Sequence, residues 1–211
     1  MAASLQKCPP CDCSYGSRDV YNVTAKPIQK WLSQANTAGK NHGLNPVDFL
    51  AIASIETNGD YSAIDPSGTT YGIVQIDKAH LNAYNCLKGT KYTMDDLIGE
   101  GKLITTSSGA VRLSFDILGY HLSSALDKTD SLKSAATSWN GAICGGGGIN
   151  PYGSKCGGFS YASKPSCYGE AVYKLASAYS DWFQNDSRYK GELEEVPTNT
   201  LPTYNKVCFG K

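Results

Sequence analysis

The sequence has no surplus of charge of either sign, with 19 lysines and arginines against 19 aspartates and glutamates in 211 residues. A general nucleic-acid binder needs a basic excess to meet phosphates, so no nucleic-acid partner is expected. Long apolar runs are missing as well. The longest, about Phe49 to Ile55, falls well short of the ~20 residues a helix needs to cross a bilayer, and no membrane span is expected. Histidine is scarce, at 3. His42, His80 and His121 do not fall at ligand spacing, so no metal and no other cofactor is expected. The opening Met-Ala-Ala-Ser-Leu-Gln-Lys-Cys lacks the apolar core of a secretory leader.

Hydrophobic residues make up 41% of the chain, with 22 Gly, 14 Tyr and 8 Cys. That is enough apolar material for a packed core, which excludes wholesale disorder. The cysteines stand at 8, 11, 13, 86, 144, 156, 167 and 208. An even number in a chain of this size points to disulfides and an oxidising destination, extracellular or periplasmic. Such a destination is reached after loss of a leader, or by another route such as carriage on a phage virion. Residues 1–23 form a Cys-rich N-terminal arm around Cys8-Pro-Pro-Cys11-Asp-Cys13. A zinc site there lacks its second cysteine pair, so disulfide ties to the body are the expected role. A virion or a secretion apparatus is the kind of partner that arm would meet.

The spacing of apolar residues predicts a mainly α protein, of α+β class, with a small β-element. A helix is expected over 24–41, with Thr24 as its cap and Gly43 at its stop. A second is expected over 46–57, capped by Asn45, with Pro46 in the first helical position. That helix is apolar nearly all round and therefore buried. Residues 58–78 are turn-rich, with a short strand near Ile73-Val74-Gln75-Ile76. Further helices are expected over 109–127, 131–139 and 168–184. Gly145 to Gly148 and Gly157-Gly158 mark a loop that Cys144 and Cys156 flank for much of its length and could tie, although eight cysteines allow about 105 pairings and sequence does not choose among them. Residues 24–185 are then the folded domain and 186–211 a C-terminal tail.

Glu56 ends the buried helix. A carboxyl group in that position is poorly hydrated, which disfavours its ionised form and suits it to general acid chemistry. The plainer reading is a surface glutamate at a frayed helix end. Residues 47–57 read VDFLAIASIET and residues 70–80 read TYGIVQIDKAH. Further on stand Asp116-Ile117-Leu118-Gly119-Tyr120-His121-Leu122 and Ala135-Ala136-Thr137-Ser138-Trp139-Asn140-Gly141. Together these four segments, in this order, resemble the lysozyme superfamily, in particular soluble lytic transglycosylases and goose-type lysozymes. In that family a buried helix ends in the catalytic glutamate and is followed by a G-[LI]-x-Q-[IV] strand. The aspartate directly after that strand, here Asp77, is similar to the goose-type pattern. In the last motif Trp139 replaces the family's tyrosine, which removes a phenol able to hydrogen-bond the acid.

The resemblance implies a lysozyme-like helical domain that cleaves the β-1,4 bond between N-acetylmuramic acid and N-acetylglucosamine, with peptidoglycan glycan strands as its partner. Glu56 is then the acid. In an inverting hydrolase a second carboxylate, Asp77 or else Asp65, stands roughly 6.5–9.5 Å from the acid and holds the attacking water. A transglycosylase needs no second carboxylate and leaves an anhydro end. Gln75 is placed to meet an N-acetyl group, or else backbone. Tyr71, Tyr120 and Trp139 offer flat faces for sugar rings, or else pack in the core. Asn140 either bonds substrate or caps a turn. Two other classes stay open: a non-catalytic glycan-binding or structural protein on the same fold, and a Cys-rich interaction module. A thiol enzyme pairing Cys86 or Cys144 with His80 or His121 is disfavoured by the disulfide reading.

Overall fold

The computed structural model describes residues 26–129, 131–141, 147–153, 155–161 and 168–185. The Cys-rich arm, the Thr24 cap, Cys144 and the tail over 186–211 lie outside the described residues. Among the described residues the chain is mainly helical, with two small hairpins. The stretch expected as one helix over 24–41 is two, α1 (Lys26–Gln29) and α2 (Leu32–His42). The break at Lys30 and Trp31 turns the Trp31 indole back onto the chain, where its N–H donates to the Gly59 carbonyl at 2.9 Å. Gly43 ends α2 in the left-handed conformation, φ 67°, which costs little only for a residue without Cβ.

Helix α3 (Pro46–Thr57) starts where Asn45 accepts the Val47 N–H, with Pro46 in its first turn. Every residue from Pro46 to Ser54 is buried. Helix α3 packs against α2, α5 (Ser107–Thr129) and α7 (Tyr168–Asn185). Its C-terminal turn carries the first side chains that reach solvent.

The residues after α3 hold a hairpin, with β1 (Thr70–Tyr71) antiparallel to β2 (Ile76–Asp77) and Thr70 opposite Asp77. The strand expected over 73–76 is therefore mostly the hairpin turn. Ile73 and Val74 are buried, but they lie on a reversal between Gly72 (φ 80°) and Gln75 (φ 56°). A Cβ at position 72 would stand 2.8 Å from the Leu97 carbonyl, so the turn closes only with glycine there.

Asp77 then caps α4 (Lys78–Lys88), a helix not expected from the sequence, by accepting the His80 N–H. A 3-10 turn (Met94–Ile98) leads to α5, whose stripe of Val111, Ser114, Leu118, Leu122 and Ala125 is buried. Ser131 caps α6 (Leu132–Trp139). A second hairpin, β3 (Gly147–Ile149) with β4 (Phe159–Tyr161), lies where only loop was expected. Cys156, one of the two cysteines able to tie the Gly-rich loop, is bonded to Cys86 at the end of α4. The bridge joins the second hairpin to α4 and removes Cys86 as a thiol nucleophile. In α7, Val172, Leu175, Ala176, Tyr179 and Phe183 face inward. No helix among the described residues is long and apolar enough to cross a membrane.

Candidate active site

A cleft of about 380 Å³ opens between the end of α3, the first hairpin, the start of α4 and the end of α6. It brings together Glu56, Asp65, Gln75, Asp77, Trp139 and Asn140, all singled out from the sequence, and adds Thr70 and His80. Tyr71 and Tyr120 do not line it. Tyr71 is half-buried in β1 opposite Ile76. Tyr120 packs edge-on against His42 at 4.7 Å, and its hydroxyl accepts from Lys88 Nζ at 2.8 Å. These contacts hold Tyr120 in an aromatic cluster with Tyr84 and Tyr152, away from the cleft lining.

Glu56 reaches the cleft from the last turn of the buried helix. Burial raises its carboxyl above the ordinary range, and a hydrogen bond from Tyr168 opposes the rise without cancelling it. The Tyr168 hydroxyl donates to Glu56 Oε1 at 2.5 Å. Tyr168 opens α7, and the Tyr179 hydroxyl, further along, donates to Ser54 Oγ at 2.8 Å. The two helices thus run side by side, and the phenol that Trp139 does not supply comes from α7. No spacing rule flagged Tyr168, because it lies 112 residues from Glu56 and depends on how α7 packs.

Asp77 is set oppositely. Burial resists its ionisation, yet hydrogen bonds from the His80 ring and N–H hold it below the usual carboxylate range. Its Oδ1 accepts the His80 N–H at 2.7 Å and lies 2.9 Å from His80 Nδ1. Asp65 is also lowered, first by the Ser67 hydroxyl and then by backbone N–H groups of Thr70, Thr69 and Ser67. Its oxygens accept from Thr69 N and Thr70 N, each at 2.6 Å. Asp65 therefore organises the turn that enters β1.

Gln75 is committed to the protein. Its Oε1 accepts from Thr70 Oγ1 at 2.8 Å, and its Nε2 donates to the carbonyls of Gly72 at 2.9 Å and Ala63 at 3.3 Å. The amide pins the hairpin turn through backbone contacts, the alternative role expected of it, from a position on the cleft lining. Trp139 ties the same turn from the other side, its indole N–H donating to the Val74 carbonyl at 3.0 Å. Its ring flanks His80 and His121, each at 5.0 Å. Asn140 ends α6, its backbone N–H meeting the Thr137 carbonyl at 3.1 Å.

Three carboxyl groups line the cleft, and the raised Glu56 is set against the lowered Asp65 and Asp77. Glu56 keeps its proton to higher pH than usual and Asp77 gives it up at lower pH, which is the division needed between a general acid and a general base. Compared with family models, curated proteins and solved structures, the chain matches none of them.

Proposed function

We propose that the chain is a peptidoglycan-degrading glycosidase with a lysozyme-like catalytic domain. It cleaves the β-1,4 bond between N-acetylmuramic acid and N-acetylglucosamine. The observation that carries this reading is the Glu56–Asp77 pair, two carboxyls on one open cleft with their ionisation driven apart by burial on one side and by His80 on the other. Glu56 delivers its proton to the glycosidic oxygen as the bond to the sugar breaks. Positive charge develops at the sugar, and Asp77 takes a proton from the water that attacks the opposite face. The product is a reducing end, as from a goose-type muramidase. The substrate class comes from the resemblance of four sequence segments around this cleft. The Cys86–Cys156 bridge favours an extracellular or periplasmic site of action.

A lytic transglycosylase is the second reading, favoured by the engagement of Asp77 Oδ1 as the α4 cap. In that case the muramic 6-hydroxyl attacks internally and Asp77 is structural. Mass spectrometry of digested peptidoglycan separates the two. Reducing muramic ends support hydrolysis and anhydro ends support the transglycosylase. Absence of any released fragment from folded protein would contradict both and leave a glycan-binding role.

A further inference from the structure

We propose that His80 is a positioning residue for Asp77, and that it acts as the outer member of a hydrogen-bonded chain running Asp77–His80–His121–Ser138 into the core. The proposal rests on the reading of Asp77 as the base. The links come from four elements: Asp77 lies on β2, His80 on α4, His121 on α5 and Ser138 on α6. His80 Nδ1 is 2.9 Å from Asp77 Oδ1, and His80 Nε2 is 3.3 Å from His121 Nδ1. His121 Nε2 is 2.8 Å from Ser138 Oγ, which itself donates to the Ala135 carbonyl at 2.6 Å.

The donors and acceptors along this chain set where its protons lie. Ser138 spends its only proton on the Ala135 carbonyl, so the proton between Ser138 and His121 belongs to His121 Nε2. Burial keeps His121 neutral, so its Nδ1 accepts and His80 Nε2 donates. The contact between His80 Nδ1 and Asp77 needs a further proton. The chain therefore holds one proton more than neutral side chains with an ionised Asp77 would carry, held at the contact between His80 and Asp77.

The ring is fixed from both sides. Phe159 stacks on it with centroids 4.1 Å apart and planes at 14°, and Trp139 leans on it at 5.0 Å. Phe159 lies three positions beyond Cys156, so the bridge to Cys86 on α4 holds the stacking partner to the helix that carries His80. Titratable groups facing this unit are Glu56 and Asp65 across the cleft, His121 behind it and the Tyr152 ring at 6.3 Å. Among the described residues lining the cleft, His80 alone can carry positive charge.

The test pairs kinetics with nitrogen NMR. Turnover of solubilised peptidoglycan is measured against pH for His80→Ala and His80→Gln, with folding checked by circular dichroism. For His80→Ala the acid-side midpoint of kcat moves up by about one pH unit or more, as expected on loss of a neighbouring cation, and kcat falls tenfold or more while KM changes little. His80→Gln, a neutral donor, recovers part of kcat but leaves the midpoint shifted. In the wild-type protein at pH 6, NMR shows His121 protonated on Nε2 alone and both His80 nitrogens protonated. An unmoved acid limb in folded His80→Ala, or a neutral His80, overturns the proposal. The NMR reading needs no turnover, so it stands or falls apart from the glycosidase reading. That reading fails separately if Glu56→Gln cleaves as the wild type does.

Discussion

Asp48 makes the stability of this fold depend on pH in an unusual sense. It lies in the first turn of α3, 2% exposed. A backbone hydrogen bond from Asn45 favours its ionised form, but burial dominates and pushes the carboxyl up to about 8. Its Oδ2 meets no hydrogen-bond donor among the described residues. The unfolded carboxyl releases its proton near the ordinary aspartate value of 3.8, whereas the folded one holds it to about 8. The stability present below pH 4 is therefore lost as pH rises through this window. At about 1.4 kcal/mol per unit the loss by pH 7 is on the order of 4 kcal/mol, a large share of the ~5–15 kcal/mol that holds a typical domain together. Asp48→Asn keeps an oxygen for the Asn45 N–H and does not ionise. Urea unfolding followed by circular dichroism, from pH 4 to 8.5 with the disulfide intact, reads the effect. The difference between variant and wild type should swing by several kcal/mol in the variant's favour as pH rises. Parallel pH profiles for the two proteins would refute the reasoning.

Tyr168→Phe removes the hydroxyl that favours ionised Glu56, so the basic limb of the pH–rate profile moves up by about one unit and kcat falls as the acid loses its orientation. Because the ring stays in place, unfolding in urea should show a loss of only about 1 kcal/mol. Gly72→Ala puts a Cβ against the Leu97 carbonyl at φ 80°, and calorimetry should show a destabilisation of about 2 kcal/mol or more. Cys86→Ser opens a bridge that spans 70 residues, with an expected loss of about 2–4 kcal/mol in urea, reproduced by reductant on the wild type.

The helices that bury a continuous apolar face were legible in the sequence. Asn45 and Pro46 announce α3 to the residue, and Ser131 announces α6, because a cap and a period together leave little choice. What escaped has a common physical cause. Helix α4 buries only His80, Leu81, Ala83 and Tyr84, too few for a visible period, and its start depends on Asp77 acting as a cap instead of a strand end. Ile73 and Val74 look like a strand because they are buried, but burial alone does not distinguish a strand from a turn pressed into the core. The second hairpin begins with Gly147 and Gly148, whose pairing comes from backbone alone. At the cleft, local sequence placed Glu56, Asp77 and Trp139. Tyr168 and the His80–His121 contact depend on helix packing, which short-range spacing does not encode. Tyr120 was a plausible sugar contact by type, and its packing with Tyr84 and Tyr152 keeps it off the cleft lining.

The central claim is that a shielded Glu56 carboxyl protonates a glycosidic bond in the cleft. Release of soluble fragments from purified peptidoglycan by Glu56→Gln, beside wild type and with matched circular dichroism and melting, tests it most directly. The account predicts a loss of at least a hundredfold, since the amide keeps the shape and has no proton to give. Cleavage within a few fold of wild type by the folded variant would contradict it.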